Sequence, residues 1–210
     1  MTFGNNGMFY VASGLGLVKF ELGNASSGHL ISDRNIFDVT SLPNGNLLAV
    51  EAYGMRELDT AGNLVRTINI SDPLDLNGGN VGFVDLRGVA YDPTEDMIYA
   101  TQLGYSGFTF RLMKLEADTG ILLNHEEFWY GDEISLNADG TLAVASRTQD
   151  PGLFDKDLTY LGSFDGGTGR HFITQYSPVA VPEPQMMGVL AVGSILLASW
   201  GLVKRRRSNN

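Results

Sequence analysis

Short apolar runs alternate with clusters of polar residues along most of this chain. Before residue 180 the apolar runs are four to six residues long, are rich in Val, Ile, Leu, Tyr and Phe, and are divided by Gly, Asn and Asp. No stretch in this part has the spacing of an amphipathic helix. The pattern therefore predicts an all-β body of short strands joined by tight turns.

Three segments of the body repeat one order, in which a polar turn precedes an apolar strand. They begin at Asp38, Arg87 and Asp132, and a weaker copy begins at Asn5. Asn-Gly and Asp-Gly pairs in such turns supply the positive-φ positions of a tight hairpin. The predicted turns span residues 43–46, 92–96 and 137–140, and the strands that follow them span 47–50, 97–100 and 142–145.

The repeat is longer than a single hairpin. In the first two segments a second hairpin follows, with turns predicted at residues 59–63 and 118–120. Successive copies of the first turn are 38, 51 and 44 residues apart. Four strands in about 40–50 residues is the period of a β-propeller blade. A generic antiparallel sandwich is the alternative, because it also needs short strands and frequent turns.

Two stretches of the repeats resemble sequences of known proteins. "PNGNLLAV" and "NADGTLAV" are similar to phrases in the blades of NHL, YVTN and gluconolactonase-like propellers, and the similarity extends over residues 5–176. It implies about four blades, which are few for a closed propeller. The first residues also lack the basic and apolar parts of an export signal. We therefore expect an N-terminally truncated sequence, with a signal peptide and one to three blades upstream.

The last 30 residues differ in character from the body. Residues 186–203 hold no formal charge, and at about 1.5 Å per residue they span about 27 Å, close to the thickness of the bilayer core. Lys204, Arg205, Arg206 and Arg207 follow, and such a cluster stays on the cytoplasmic side. The pattern predicts one C-terminal transmembrane helix with the body outside the cytoplasm. A buried core helix and a cytoplasmic tail-anchored topology are the alternatives.

Directly before this helix lies Val181-Pro182-Glu183-Pro184, which its two prolines keep extended. Together with the apolar span and the basic cluster it resembles the PEP-CTERM sorting signal of Gram-negative bacteria, also known as the ice-binding protein C-terminal domain. The resemblance implies recognition at the Pro-Glu-Pro motif by an exosortase, a transient membrane anchor, and a basic stop-transfer signal. The implied partners are the exosortase, the export machinery and the membrane, with an exopolysaccharide matrix as a further expected partner.

These features divide the chain into four predicted parts. They are a propeller-like extracytoplasmic domain over 1–177, a Pro-rich linker with the sorting motif over 178–185, the membrane helix over 186–203, and a basic cytoplasmic tail over 204–210. Residues 1–180 hold 10 Lys and Arg against 23 Asp and Glu, so the body would repel nucleic acid. The chain has no Cys, which excludes disulfides and thiolate chemistry.

Candidate chemistry in the body is sparse. Alignment of the copies places Asp38, Arg87 and Asp132 at one equivalent position near the inner strand, where they could ring the mouth of a channel. The functional interpretation is a polar or metal-binding centre, as in lactonase-like propellers, and the alternative is a set of solvated charges. The three histidines lack metal-ligand spacing, and no nucleophile elbow or phosphate loop occurs. No catalytic residue, cofactor or dedicated metal site is predicted.

Two functions remain open at this point. In the first, the protein is not an enzyme, and its propeller body is a binding or structural module displayed at the cell surface or in its matrix after exosortase processing. In the second, the body is an extracytoplasmic metal-dependent hydrolase or lactonase.

Overall fold

The computed structural model describes residues 1–4, 6–71, 85–103, 110–128, 131–145 and 150–163. The chain divides into two compact units, Met1–Gln175 and Tyr176–Asn210, and every described residue belongs to the first. All regular secondary structure in the described ranges is β, which confirms the all-β prediction for the body. Those ranges contain no helix long and apolar enough to cross a membrane. The predicted sorting motif, membrane helix and basic tail lie outside them.

The described strands form four antiparallel sheets, and within each sheet four strands pair in chain order. We call these sheets blades 1 to 4. Blade 1 holds β1 (Thr2–Phe3), β2 (Met8–Ser13), β3 (Gly16–Glu21) and β4 (Asn24–Ser32), and blade 2 holds β5 (Ile36–Ser41), β6 (Leu47–Glu51), β7 (Gly54–Leu58) and β8 (Leu64–Ile68). Blade 3 holds β9 (Leu86–Asp92), β10 (Met97–Leu103), β11 (Phe110–Glu116) and β12 (Leu122–Phe128), and blade 4 holds β13 (Glu133–Leu136), β14 (Leu142–Ala145), β15 (Gly152–Phe154) and β16 (Tyr160–Ser163).

The blades stack in chain order around their first strands, so the arrangement is that of a four-bladed β-propeller. Strand β5 lies between β1 and β9, and β9 lies between β5 and β13. The first strand of each blade is therefore its inner strand. This confirms the predicted blade repeat and rejects the sandwich, in which two sheets would face each other across a single core.

Apolar side chains fill each junction between neighbouring blades. Alternation along a strand sends every second side chain to the same face, so each blade can offer an apolar surface to the blade before it and to the blade after it. Three separate clusters result. They are centred on Tyr10, Leu17 and Leu47 between blades 1 and 2, on Leu48, Ile98 and Met113 between blades 2 and 3, and on Tyr99, Val144 and Phe154 between blades 3 and 4.

The outer hairpins share one turn chemistry. In blade 2 the carboxylate of Asp59 accepts hydrogen bonds from the main-chain nitrogens of Ala61 and Asn63, at 2.9 and 2.8 Å. In blade 4 Asp155 accepts the same two bonds, from residues two and four positions further on. Gly62 occupies the left-handed position with φ 89°, and Leu158 takes that position in blade 4 with φ 68°. Leu158 is buried there, so packing offsets its backbone strain.

Blade 1 carries an apolar face on the side away from blade 2. The rings of Phe3 and Phe9 are 4.9 Å apart, and those of Phe9 and Phe20 are 6.5 Å apart. Val11 pairs with Val18 beside them in the same sheet. This face thus carries three aromatic rings and a pair of valines, and the expectation of further blades upstream stays a prediction.

The inner strands of blades 3 and 4 approach closely at Gly88. A Cβ atom at this position would lie 2.9 Å from the oxygen of Asp132, from the Cα of Glu133 and from the nitrogen of Ile134. All three atoms belong to the main chain of blade 4, which cannot move aside as a flexible side chain can. The glycine therefore sets the spacing of the two blades.

We expect Gly88→Ala to lower the free energy of unfolding by about 1.5 kcal/mol, because the added methyl forces blades 3 and 4 apart. The matched control is Gly54→Ala in β7, where the nearest atom to the new Cβ is the Ile68 oxygen at 4.0 Å. Urea denaturation of both variants, followed by far-UV circular dichroism, measures the difference. Equal stability of the two variants would contradict close packing at Gly88.

Candidate functional site

Asp38, the first of the three predicted channel-mouth residues, joins three blades. It lies in β5 and is buried. Its Oδ1 accepts hydrogen bonds from the amino group of Met1 at 3.1 Å and from the main-chain nitrogen of Val39 at 2.8 Å, and its Oδ2 accepts one from the nitrogen of Val89 at 3.0 Å. Blades 1, 2 and 3 each supply one donor. Both oxygens of the carboxylate therefore accept hydrogen bonds from main-chain or terminal nitrogens.

Arg87 lies near the start of β9 and packs against blade 2. Its guanidinium carbon is 4.5 Å from the centre of the Phe37 ring, and its Nη2 is 3.4 Å from a carboxylate oxygen of Asp85. Phe37 directly precedes Asp38 in β5, so Arg87 packs against the start of that strand. A cation over an aromatic ring stabilises this packing between blades.

Asp132 precedes β13 and takes part in the junction of blades 3 and 4. Its main-chain nitrogen donates to the oxygen of Ala145, at 3.0 Å. Its main-chain oxygen accepts a hydrogen bond from the buried hydroxyl of Thr101, at 3.2 Å, and that hydroxyl in turn accepts one from the nitrogen of Gly88, at 2.8 Å. Thr101, which sequence reasoning did not single out, thus links the inner strands of the two blades.

The three predicted residues do not share one position in the blades. Strand pairing sets Val39 opposite Ala49, Val89 opposite Ala100 and Ile134 opposite Val144, and each of these pairs faces the preceding blade. The residues equivalent to Asp38 are therefore Gly88 in blade 3 and Glu133 in blade 4. Arg87 and Asp132 therefore each lie one residue before the position that Asp38 occupies. Apolar alternation alone allows a shifted alignment, whereas the pairing partners fix the register, in which Arg87 and Asp132 are equivalent and Asp38 is offset by one residue. That the three residues ring a channel mouth stays a prediction.

A polar network joins blades 2 and 3 around Glu57. The side-chain nitrogens of Asn44 and Asn46 donate to its Oε1, at 2.8 and 2.6 Å, and Arg66 Nε donates to its Oε2, at 2.6 Å. Arg66 Nη1 also donates to the main-chain oxygen of Asp118 in blade 3, at 3.1 Å. Burial raises the pKa of Glu57, but the hydrogen bonds outweigh burial and leave that pKa below its ordinary value.

A second network joins blades 3 and 4 around Asp92. Lys156, in the last turn of blade 4, forms an ion pair with the buried Asp92 carboxylate and donates to Thr94 Oγ1, at 3.0 Å. The Tyr99 hydroxyl donates to the main-chain oxygen of Lys156, at 3.2 Å. Burial raises the pKa of Asp92, but bonds from Lys156 and Thr94 bring it below its ordinary value, and the ion pair raises the pKa of Lys156.

A cleft of about 200 Å³ opens between blades 2 and 3, beside the Glu57 network. Its floor is apolar, and its rim carries Asn44, Arg66, Tyr91, Asp96 and Asp118. Sequence reasoning missed it because its two walls come from different repeats. The only local signal was the polar turn at 43–46, which was interpreted as a hairpin alone. Within the part of the chain that the structure describes, no three His, Asp or Glu side chains are grouped to hold a metal ion.

Stacked four-stranded blades with inner first strands define a β-propeller protein. No family model matches the chain, and no curated protein matches it. Solved structures share the fold at low identity. A chain of the nidogen/laminin complex is 13% identical with a TM-score of 0.61, over 84% of this chain and 67% of that one.

Two bacterial structures are also similar. The extracellular domain of a protein described as a one-component system of B. thetaiotaomicron is 13% identical with a TM-score of 0.56, over 82% of this chain and 26% of its own. A gluconolactonase from Xanthomonas campestris is 14% identical with a TM-score of 0.53, over 75% of this chain and 57% of its own. This chain thus spans about a quarter of the one-component protein's domain and just over half of the gluconolactonase. These likenesses establish the propeller fold.

Proposed function

We propose that this protein is exported, is held in the membrane by its C-terminal helix, and is processed by an exosortase, and that its propeller is a binding or structural module of the cell surface or its matrix. One observation carries the sorting role. Pro182-Glu183-Pro184, an uncharged span over 186–203 and the cluster from Lys204 occur in the order and spacing that the PEP-CTERM resemblance requires. The body then lies outside the cytoplasm, in the periplasm or at the surface, and is released after processing.

The geometry of the body supports a rigid module. Asp38 accepts hydrogen bonds from the terminal amino group of Met1 and from the main-chain nitrogens of Val39 and Val89, which belong to three blades. The networks around Glu57 and Asp92 join blade 2 to blade 3 and blade 3 to blade 4. A carboxylate committed to such bonds positions backbone and is not free to ligate a metal or to take up a proton from a substrate. Asp38 is the one predicted channel-mouth residue whose carboxylate is buried. Because its hydrogen bonds commit it to the backbone, it favours the binding module over the hydrolase.

The similar solved structures are consistent with this location. Those with TM-scores of 0.56 and 0.51 are extracellular domains of bacterial signalling proteins. An extracytoplasmic body for this chain is compatible with the location of these two domains, and it agrees with the orientation that the basic cluster predicts.

We expect Glu183→Ala to abolish exosortase processing, because the side chain at the centre of the motif would be the recognised charge. The measurement is the size and location of the protein in a host that carries an exosortase, by blotting of membrane and released fractions. Wild type should yield a shortened released form, and the variant should stay at full length in the membrane. The matched control is Glu126→Ala, an exposed glutamate on β12, which should be processed normally.

Unchanged processing of Glu183→Ala would contradict the sorting proposal. The hydrolase alternative has its own test, which is turnover of aldonolactones by the full chain with and without a chelator. Turnover that the chelator abolishes would replace the binding module by an enzyme without affecting the sorting result.

A further inference from the structure

The cleft between blades 2 and 3 combines an apolar floor with a polar rim. Leu42, Leu48 and Ile68 from blade 2 and Ile98 and Ala117 from blade 3 form the floor. The volume of about 200 Å³ lies below the roughly 300–1,000 Å³ of typical ligand pockets. It therefore suits one small ring rather than a larger cofactor or substrate.

Two groups on the rim are held in place by the fold. Arg66 donates from Nε to Glu57, at 2.6 Å, and from Nη1 and Nη2 to the main-chain oxygens of Asp118 and Ala117, at 3.1 and 3.4 Å. Across the cleft, Tyr91 donates its hydroxyl to Asp96 Oδ1, at 2.7 Å. A binding group fixed before the ligand arrives loses little side-chain entropy on binding.

Part of the hydrogen-bonding capacity of the rim remains open to the cleft. Three of the five N–H groups of Arg66 are used in those bonds. Asp96 uses Oδ1 to accept from Tyr91, and none of the described residues donates to its Oδ2. Asp118 is 81% exposed, with its Oδ1 3.6 Å from Arg66 Nη1. The rim thus offers both donors and acceptors.

Burial, followed by the nearby Asp96 carboxylate, raises the pKa of Tyr91 to about 12. The hydroxyl therefore stays protonated at physiological pH and continues to donate to Asp96. This fixes the Asp96 carboxylate as an acceptor that faces the cleft.

Charge excludes one class of ligand, the anions. An anion would meet Asp96 and Asp118, and the one cation present, Arg66, is already neutralised by Glu57 at 2.6 Å. The rim does not exclude a positively charged ring, because Asp96 and Asp118 outweigh the single guanidinium of Arg66, which Glu57 already neutralises. A neutral ring that bears hydroxyl groups can donate to the carboxylates, accept from the guanidinium and lay its C–H surface on the apolar floor.

We propose that this cleft binds a single saccharide residue that carries no negative charge. The proposal rests on the binding-module function above and names the class of ligand. The site lies at the end of the blades that carries the 43–46 and 118–120 turns, where β5 and β9 end, and is separate from Arg87 and Asp132, which lie near the starts of β9 and β13. Its affinity comes from one ring, so a dissociation constant of about 1 mM is expected for a monosaccharide.

The test uses the full chain in a detergent without a sugar headgroup. Methyl glucoside, methyl galactoside and N-acetylglucosamine are titrated, with saturation-transfer NMR as the readout. We expect saturable binding of at least one probe near 1 mM. We expect Asp96→Asn to weaken it about tenfold, because the variant keeps the shape and tolerates the left-handed φ of 56° but loses a charged acceptor.

The second variant, Asp118→Ala, should weaken binding severalfold, and its exposed position spares the fold. Glu126→Ala is the control and should bind as wild type does. Circular dichroism melts of all variants establish that they are folded. Absence of saturable binding to wild type would overturn the proposal, as would binding that neither Asp variant weakens.

Charged probes test the ligand class. Glucuronate should bind more weakly than the neutral glycosides, and glucosamine should bind at least as tightly as they do. Tighter binding of glucuronate would overturn the assignment to sugars without negative charge. If wild type is processed normally by the exosortase but binds no sugar, the ligand class is rejected and the sorting role is not. Failure of processing with intact sugar binding would reject the sorting role alone, so the two results are separable.

Discussion

Asp38→Ala is expected to lower the free energy of unfolding by about 3 kcal/mol, the largest effect among the variants considered. The substitution removes the only carboxylate in β5 and leaves the main-chain nitrogen of Val89 without its acceptor at 3.0 Å. The amino group of Met1 and the nitrogen of Val39 lose theirs as well. Each buried donor without a partner costs about 1–3 kcal/mol, and the nitrogens of Val39 and Val89 are two such donors, whereas water can replace the acceptor of the Met1 amino group, which is 39% exposed.

Urea denaturation of the full chain, followed by far-UV circular dichroism, measures this loss. Asp38→Asn has the same shape and keeps one oxygen acceptor, so it should lose about half as much. Asp33→Ala is the control, because Asp33 is an exposed acid five residues upstream, and its change should stay below about 0.5 kcal/mol. If Asp38→Ala lowers the free energy of unfolding no more than Asp33→Ala does, the role of Asp38 in joining the blades is contradicted.

Lys156→Met is expected to lower the free energy of unfolding by about 2 kcal/mol. The variant keeps the apolar stem and the main-chain bond from Tyr99, but it leaves the carboxylate of Asp92, which is 1% exposed, without its cation. Removal of one partner of a fully buried pair costs about 3–5 kcal/mol. Because Lys156 is 25% exposed, water moderates the loss here.

The double variant Asp92→Asn/Lys156→Met is the matched control. It removes both charges, so no carboxylate is left buried, and it should lose less stability than Lys156→Met alone. Thermal or urea unfolding of wild type, single and double variants completes the comparison. A double variant less stable than the single one would contradict the assignment of the cost to the stranded Asp92 charge.

The same pair gives the stability a pH dependence. The pKa of Asp92 is lower in the folded than in the unfolded protein, so its stabilising contribution is complete above about pH 4 and is lost as pH falls through the folded pKa. The difference in stability between wild type and Lys156→Met should therefore be present at pH 7 and shrink in acid. A difference that stays constant down to pH 2 would exclude this linkage.

The strands and turns of the body could be predicted from the sequence because a hairpin is local. The strand predicted at 142–145 is observed as Leu142–Ala145, and the one predicted at 97–100 is observed as the longer Met97–Leu103. Positive φ occurs at Gly45, Gly62 and Gly140, inside the predicted turns. In each turn the residue types limit the backbone within a few positions of one another.

The site residues could not be predicted in the same way. Asp38, Arg87 and Asp132 are each charged and each lie before or near the start of an inner strand, and the sequence cannot distinguish a charge that faces a channel from one that bonds a neighbouring blade. The pairs Glu57–Arg66 and Asp92–Lys156 were not singled out, because their members are 9 and 64 residues apart and no local motif relates them.

The sequence by itself determined the all-β class, the blade period and the prediction of a sorting tail, since each depends on residue types at short spacing. The tertiary structure decided which side chains meet. It placed the Asp38 carboxylate on the nitrogen of Val89, 51 residues away, and it formed the cleft of Arg66 and Asp96 from two blades. The physical reason is that contacts between blades depend on the register and spacing of stacked sheets, which only the packed chain fixes.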